Sequence, residues 1–143
     1  VGAGFGMVGA EGGQVNPTQP TASDAFREPG VYNGSDPDRY HVYVEARQFR
    51  FTPGTDNPIE VPANSTVTFH VASADVLHGF EVVGTNINTM AIPGQQAVVT
   101  AEFEEPGEYG IVCNEYCGAA HHTMAGNLTV VPESEFDASE VRD

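Results

Sequence analysis

Tyr40-His41-Val42-Tyr43-Val44-Glu45-Ala46-Arg47-Gln48-Phe49-Arg50-Phe51 is the stretch on which the fold turns. It is rich in aromatic and β-branched residues, and its side chains alternate roughly by two, the period of a half-buried strand. The same texture recurs downstream at residues 58–61, 66–72, 80–83, 97–103, 109–112 and 126–131. Turn chemistry separates these runs: Pro53-Gly54, the segment from Pro62 to Ser65, Pro93-Gly94 and Pro106-Gly107. Short strands at this spacing, with no amphipathic helix between them, predict an all-β chain, a β-sandwich or Greek-key barrel. Upstream, residues 1–39 are rich in Gly, Pro, Ser and Asp and show no period, with turn chemistry at Asn33-Gly34-Ser35-Asp36-Pro37. They read as a linker or a loosely draped, flexible N-terminal arm. The expected division is therefore an arm at 1–39, a domain at 40–132 and an acidic tail at 133–143 that frays or forms one helical turn.

The chain has 143 residues, enough for one domain with a real core. It carries 20 Asp and Glu against 5 basic residues, a formal net charge of −15, and every basic residue is Arg. Such a polyanion does not seek nucleic acid or anionic lipid. Acid excess without Lys resembles a protein surface from concentrated brine, where a Debye length of about 3 Å at 1 M salt screens self-repulsion. With 2 Cys, the chain is no disulfide-rich mini-protein. No run of about 18 apolar residues is present. The apolar opening from Val1 to Ala10 lacks a charged start and does not read as a signal peptide; it fits the trailing end of an anchor lying upstream.

The chemistry concentrates in Cys113-Asn114-Glu115-Tyr116-Cys117-Gly118-Ala119-Ala120-His121-His122-Thr123-Met124, a loop between two predicted strands. Two thiols, an imidazole and a thioether at Cys-x3-Cys-x3-His-x2-Met spacing are soft and borderline ligands that suit copper better than zinc. A mononuclear blue-copper site needs one Cys, so a second Cys points to a second metal bridged by both sulfurs. The Cys pair alone is equally compatible with a Cys113–Cys117 disulfide; His121 and Met124 at these spacings turn the reading towards metal. A second imidazole must come from elsewhere. His78, in Asp75-Val76-Leu77-His78-Gly79-Phe80, is the best candidate, read as lying in the loop after the strand at 66–72. Asp75 is either an ordinary loop carboxylate or a hydrogen-bonding partner orienting that loop. His41, His70 and His122 show no partner pattern and read as structural or exposed, and Met90 as packing.

These two segments resemble the CuA domain of cytochrome c oxidase subunit II. Asn57-Pro58-Ile59-Glu60-Val61-Pro62 and Gly84-Thr85-Asn86-Ile87-Asn88, with Pro93-Gly94, look most like subunit II of B-type haem–copper oxidases. The resemblance covers residues 40–131, with a weaker echo at 15–29. It implies a cupredoxin-like fold and a dinuclear copper centre. Cys113 and Cys117 would bridge two copper ions, His78 and His121 would supply imidazoles, and Met124 and the backbone carbonyl of Glu115 would be axial ligands. The Glu115 side chain would be available to a magnesium ion at the interface with subunit I. The implied role is electron entry into a terminal oxidase: a soluble donor, a cytochrome c or a blue-copper protein, delivers electrons that pass to haem in subunit I. The implied place is the outer face of the cell membrane, held by a segment absent from this chain. Retention of all the copper ligands disfavours a quinol oxidase. The copper domain of a nitrous-oxide-reductase-like enzyme shares the spacing but is usually joined to a large propeller domain. A copper-trafficking or storage module, and a plain sandwich with a disulfide, are the remaining alternatives.

Overall fold

The computed structural model describes residues 3–4, 9–14, 26–34, 38–47, 50–75, 77–113, 125–136 and 141. The strands are β1 (Ala3–Gly4), β2 (Gly9–Gln14), β3 (Gly30–Asn33), β4 (Arg39–Arg47), β5 (Arg50–Thr52), β6 (Ile59–Pro62), β7 (Ser65–Ser73), β8 (His78–Val82), β9 (Asn88–Ala91), β10 (Gln95–Phe103), β11 (Gly107–Val112) and β12 (Ala125–Val131). A seven-stranded sheet runs β1-β10-β7-β4-β3, with β2 also on β10 and β5 on β4. A five-stranded sheet runs β6-β12-β11-β8-β9. The chain crosses repeatedly from one sheet to the other, so β4·β7 and β6·β12 pair in parallel while the other pairs are antiparallel. The expected all-β, cupredoxin-like sandwich is what forms. Among the described residues no helix is long and apolar enough to cross a membrane.

Alternation is the reason these strands stack. Val42, Val44 and Ala46 of β4, Val67, Phe69 and Val71 of β7, and Val99, Ala101 and Phe103 of β10 point inward from the larger sheet. Ile59 and Val61, Phe80 and Val82, Ile111, and Leu128 and Val130 meet them from the smaller one. Burying each of the Val, Ile, Leu and Phe side chains among them is worth about 1.5–3 kcal/mol relative to exposure. The intervening positions carry the charge. From β3 onward, Glu45, Asp75 and Glu81 are the described carboxylates that are partly buried, and the others are exposed.

The structure departs from the sequence reading in four places. The predicted strand over residues 40–51 is a hairpin, β4 and β5, with Arg47 opposite Arg50. β9, short and polar at Asn88 and Thr89, carries no strand signal, yet it pairs with β8. His78 lies not in a loop but at the start of β8. The aperiodic stretch before residue 40 supplies β1 and β2 to the edge of β10, and β3 to β4. β2 reads Gly-Ala-Glu-Gly-Gly-Gln, so its pairing is made by backbone groups and leaves no side-chain period to detect. Phe26 and Tyr32 are buried, and Phe26 forms a small second cluster with Ala72 and Tyr43 on the outer face of the larger sheet. In the tail, Glu133–Glu135 form a single 3-10 turn.

Candidate metal centre

β8 alternates so that His78, Phe80 and Val82 all face the interior, and each is fully buried. His78 is the first inward position of the strand, which puts an imidazole at the rim of an otherwise apolar core. Its Nε2 lies 2.7 Å from Asp75 Oδ1. A carboxylate accepts, so Nε2 carries the proton and Nδ1 keeps its lone pair. That Nδ1 lies 4.0 Å from Cys113 Sγ. The Asp75–His78 contact spans an i,i+3 turn, and the Asp75 amide is held in turn by Ser73 Oγ at 3.2 Å. Asp75 therefore orients the ring, the second of the roles open to it in the sequence.

Cys113 follows β11 directly and is buried. β11 pairs with β8 on one side, Val112 opposite Glu81, and with β12 on the other, Val112 opposite Ala125. These two ladders bring Cys113 to the same rim as His78. The Gly79 amide donates to Cys113 Sγ at 3.3 Å, a bond that draws sulfur and imidazole towards one point.

The pair fits a soft metal ion. An ion about 2.0 Å from an imidazole nitrogen and about 2.3 Å from a thiolate spans up to roughly 4.3 Å. The observed separation of 4.0 Å is within that reach. The unprotonated Nδ1, the carboxylate on the opposite nitrogen and the amide donor on sulfur are the outer contacts of a metal-bound His and Cys. Phe80 and Ile111, each two positions in sequence from His78 or Cys113, are fully buried, whereas Leu77 is exposed.

Of the predicted ligands, then, His78 and Cys113 come together across 35 positions of sequence. Glu115, Cys117, His121 and Met124, and with them His122, Val76 and Ala119, lie outside the described residues. Among the described residues no group of three or more His, Cys, Asp or Glu side chains converges. Met90 lies on β9 opposite Gly79.

A second histidine network went unread in the sequence. His41 on β4 and His70 on β7 face outward from the larger sheet, with His41 Nδ1 3.0 Å from His70 Nε2. His70 Nδ1 lies 2.7 Å from Gln96 Oε1, and the Tyr43 ring stacks on His70 at 4.2 Å. Burial pushes the His70 pKa down to about 4, despite the bond to Gln96, which favours the proton. Burial also lowers that of His41, with the Arg27 charge adding to it. No sequence signal could have found this pair, because it depends on a parallel register that only the fold supplies.

Residues 40–131 match the family described as cytochrome C oxidase subunit II, periplasmic domain. Cytochrome c oxidase subunit 2 from Thermus thermophilus is 42% identical over 120 residues, 82% of this chain and 85% of that protein. The protein of the same name from Cereibacter sphaeroides is 32% identical over 111 residues, 76% of this chain and 37% of that one. A heme-copper terminal oxidase dimer solved by cryo-EM aligns with a TM-score of 0.66 and 38% identity, covering 72% of this chain and 71% of that chain. The periplasmic domain of cytochrome oxidase subunit II from Bradyrhizobium japonicum aligns with a TM-score of 0.61 over 67% of this chain and 86% of that one; at 24% identity it speaks for the fold alone.

Proposed function

Because this chain belongs to the cytochrome c oxidase subunit II family, matching its periplasmic domain, we propose that it is the electron-entry domain of its oxidase and that His78, Cys113, Cys117, His121, Met124 and the Glu115 carbonyl hold a dinuclear copper centre. The family itself is a subunit of an oxidoreductase complex, works beside subunit I and is extracytoplasmic. The observation that carries the copper reading is the buried His78–Cys113 pair, with Nδ1 left open by the Asp75 carboxylate.

Bound there, the copper pair would supply the redox chemistry, taking one electron at a time from a soluble donor and yielding it to haem in subunit I. The chain's own contribution is rigidity and dryness. Asp75 holds one tautomer of His78, and Gly79 holds the Cys113 sulfur. His78 opens one paired strand and Cys113 directly follows another, so the ligands need little rearrangement when charge changes. Phe80 and Ile111, fully buried two positions from His78 and Cys113, would limit the reorganisation of water around the site. Glu115 would offer magnesium a carboxylate only in the assembled complex. The membrane attachment and the donor, a cytochrome c or a small copper protein, belong to the same proposal.

Adding copper to the metal-free domain tests it. The expected result is a purple protein with close to two coppers per chain and a multi-line hyperfine spectrum. One copper, or a colourless product in which Cys113 and Cys117 are oxidised to a disulfide, would overturn it. The exposed carboxylates support the brine reading as well. The metal-free domain should melt lower in dilute buffer, where the Debye length is roughly 30 Å at 0.01 M, than in molar potassium chloride. An unchanged melting temperature would count against it.

A further inference from the structure

The turn between β5 and β6 lies against the far stem of the metal loop, and its contacts are closer than packing alone requires. Thr55 Oγ1 accepts the Phe51 amide at 2.8 Å and donates its one proton to the Ala125 carbonyl at 2.7 Å. The Gly54 carbonyl accepts the Asn127 amide at 3.0 Å. Between these two bonds sits Gly126, where a Cβ would lie 2.8 Å from the Gly54 carbonyl carbon and 3.1 Å from the Thr55 nitrogen. Only glycine lets the two backbones approach so closely. Gly54 itself has φ +140°, a conformation that side-chain-bearing residues rarely adopt. The turn is braced internally by the Gly54 amide on the Asn57 carbonyl at 2.7 Å and the Thr55 amide on the Phe51 carbonyl at 2.9 Å.

Ala125 is the residue next to Met124. Adjacent Cα atoms are about 3.8 Å apart, so fixing the Ala125 peptide bounds where Met124 can stand. β11 and β12 already tie the two stems together at Val112 and Ala125. The turn adds a hold on the Met124 side that does not depend on that ladder, as Gly79 does on the Cys113 side. We infer that Thr55 and Gly54 form a clasp that positions the exit of the metal loop, with Thr55 the positioning residue and Gly126 the small surface it grips. The inference rests on the copper reading above.

Thr55→Val removes the hydroxyl at nearly constant volume, and Thr55→Ser restores it. Both are compared with the unaltered domain after copper loading, at a temperature where the metal-free proteins are folded by circular dichroism. Thr55→Val should keep close to two coppers, show altered hyperfine splitting, and lose copper to a chelator roughly three- to tenfold faster, the range set by one net hydrogen bond. Thr55→Ser should match the unaltered domain. A Thr55→Val protein with unchanged spectrum and copper loss would overturn the clasp, whatever its melting temperature.

If Thr55→Val does not fold, amide exchange in the unaltered domain decides the matter. Coupling is reciprocal, so copper should slow exchange at the Phe51 and Asn127 amides more than at the Ala63 amide, which bonds Val131 at the other end of β12. Equal slowing would overturn the clasp. An unaltered domain that takes up no such copper pair removes the copper reading and the clasp with it, whereas a normal copper pair with an indifferent Thr55 removes the clasp alone.

Discussion

His78 and His70 lie in the same sandwich and each has a hydrogen-bonded side-chain partner, yet their surroundings prepare them for different work. His78 gives its Nε2 proton to the Asp75 carboxylate and turns Nδ1 towards a buried sulfur. His70 gives its Nδ1 proton to the neutral Gln96 amide, and its Nε2 accepts from the His41 Nδ1–H, so both ring nitrogens are used within the protein. A carboxylate makes the far nitrogen a better donor to a metal. An amide with a second imidazole leaves a neutral ring whose function is to hold three strands, β4, β7 and β10, together. The contrast teaches that burial and hydrogen bonding alone do not mark a ligand; what separates the proposed ligand His78 from His70 is an open lone pair facing a second soft donor.

The largest effect comes from breaking the metal side. Cys113→Ser should abolish the dinuclear centre and leave at most one copper per chain, and His78→Gln should lose or grossly alter the spectrum. His70→Gln should retain both copper ions and the spectrum while lowering the melting temperature. Metal analysis with the hyperfine spectrum separates the outcomes; a normal copper count in Cys113→Ser would end the bridging assignment.

Next in size is the pair of partners. Asp75→Ala frees the His78 tautomer and should weaken copper binding about 10- to 100-fold while the metal-free fold survives. Gln96→Ala should leave copper binding unchanged and cost about 1–3 kcal/mol of unfolding free energy, because it strands a part-buried donor. Competition with a chelator and chemical denaturation measure the two. Equal copper affinity in Asp75→Ala would make that carboxylate an ordinary loop residue after all.

How much of this contrast was legible before the fold was known differs by residue. The strands with β-branched alternation, such as Val67-Thr68-Phe69-His70-Val71, announced themselves, and so did the soft-ligand spacing from Cys113 to Met124. His78 was named through its resemblance to a known pattern, and the Asp75 contact is local enough to have been weighed. The meeting of His78 with Cys113, and of His41 with His70, depends on strand registers that a single sequence does not encode locally. β2 and the Gly126 approach were hidden for another reason: their contacts are made by backbone atoms, and glycine leaves no pattern of side chains to read.

Acid sharpens the comparison on the His70 side. The His70 pKa is about 4 in the folded chain against an ordinary 6.5, so the unfolded state takes up the proton first. The stability that the neutral ring contributes is complete above pH 6.5 and drains away as pH falls towards 4. The full shift corresponds to about 3 kcal/mol, reduced to about 2 because the ring is only part-buried. Unfolding free energies of the metal-free domain between pH 7 and pH 4 should therefore fall more steeply than those of His70→Gln, whose difference removes the carboxylate contribution common to both. Parallel curves would mean that His70 titrates normally.

The smallest effect expected is at the other half of the pair. His41→Phe keeps an aromatic ring beside His70 but removes the Nδ1–H that its Nε2 accepts at 3.0 Å. Near pH 7 this should cost about 1 kcal/mol, the net worth of one hydrogen bond, with no change in the copper spectrum. The cost should not be constant. A charge on His41 helps lower the His70 pKa, and the donated hydrogen bond favours the neutral ring, so without His41 the proton binds His70 at higher pH. The folded variant then takes up acid nearer to where its unfolded chain does, and its stability falls less on acidification. The two proteins should converge as pH approaches 4, although burial, the largest cause of the shift, keeps part of the slope. A difference that stays fixed across that range would show that His41 supports the sheet by packing and takes no part in setting the protonation of His70.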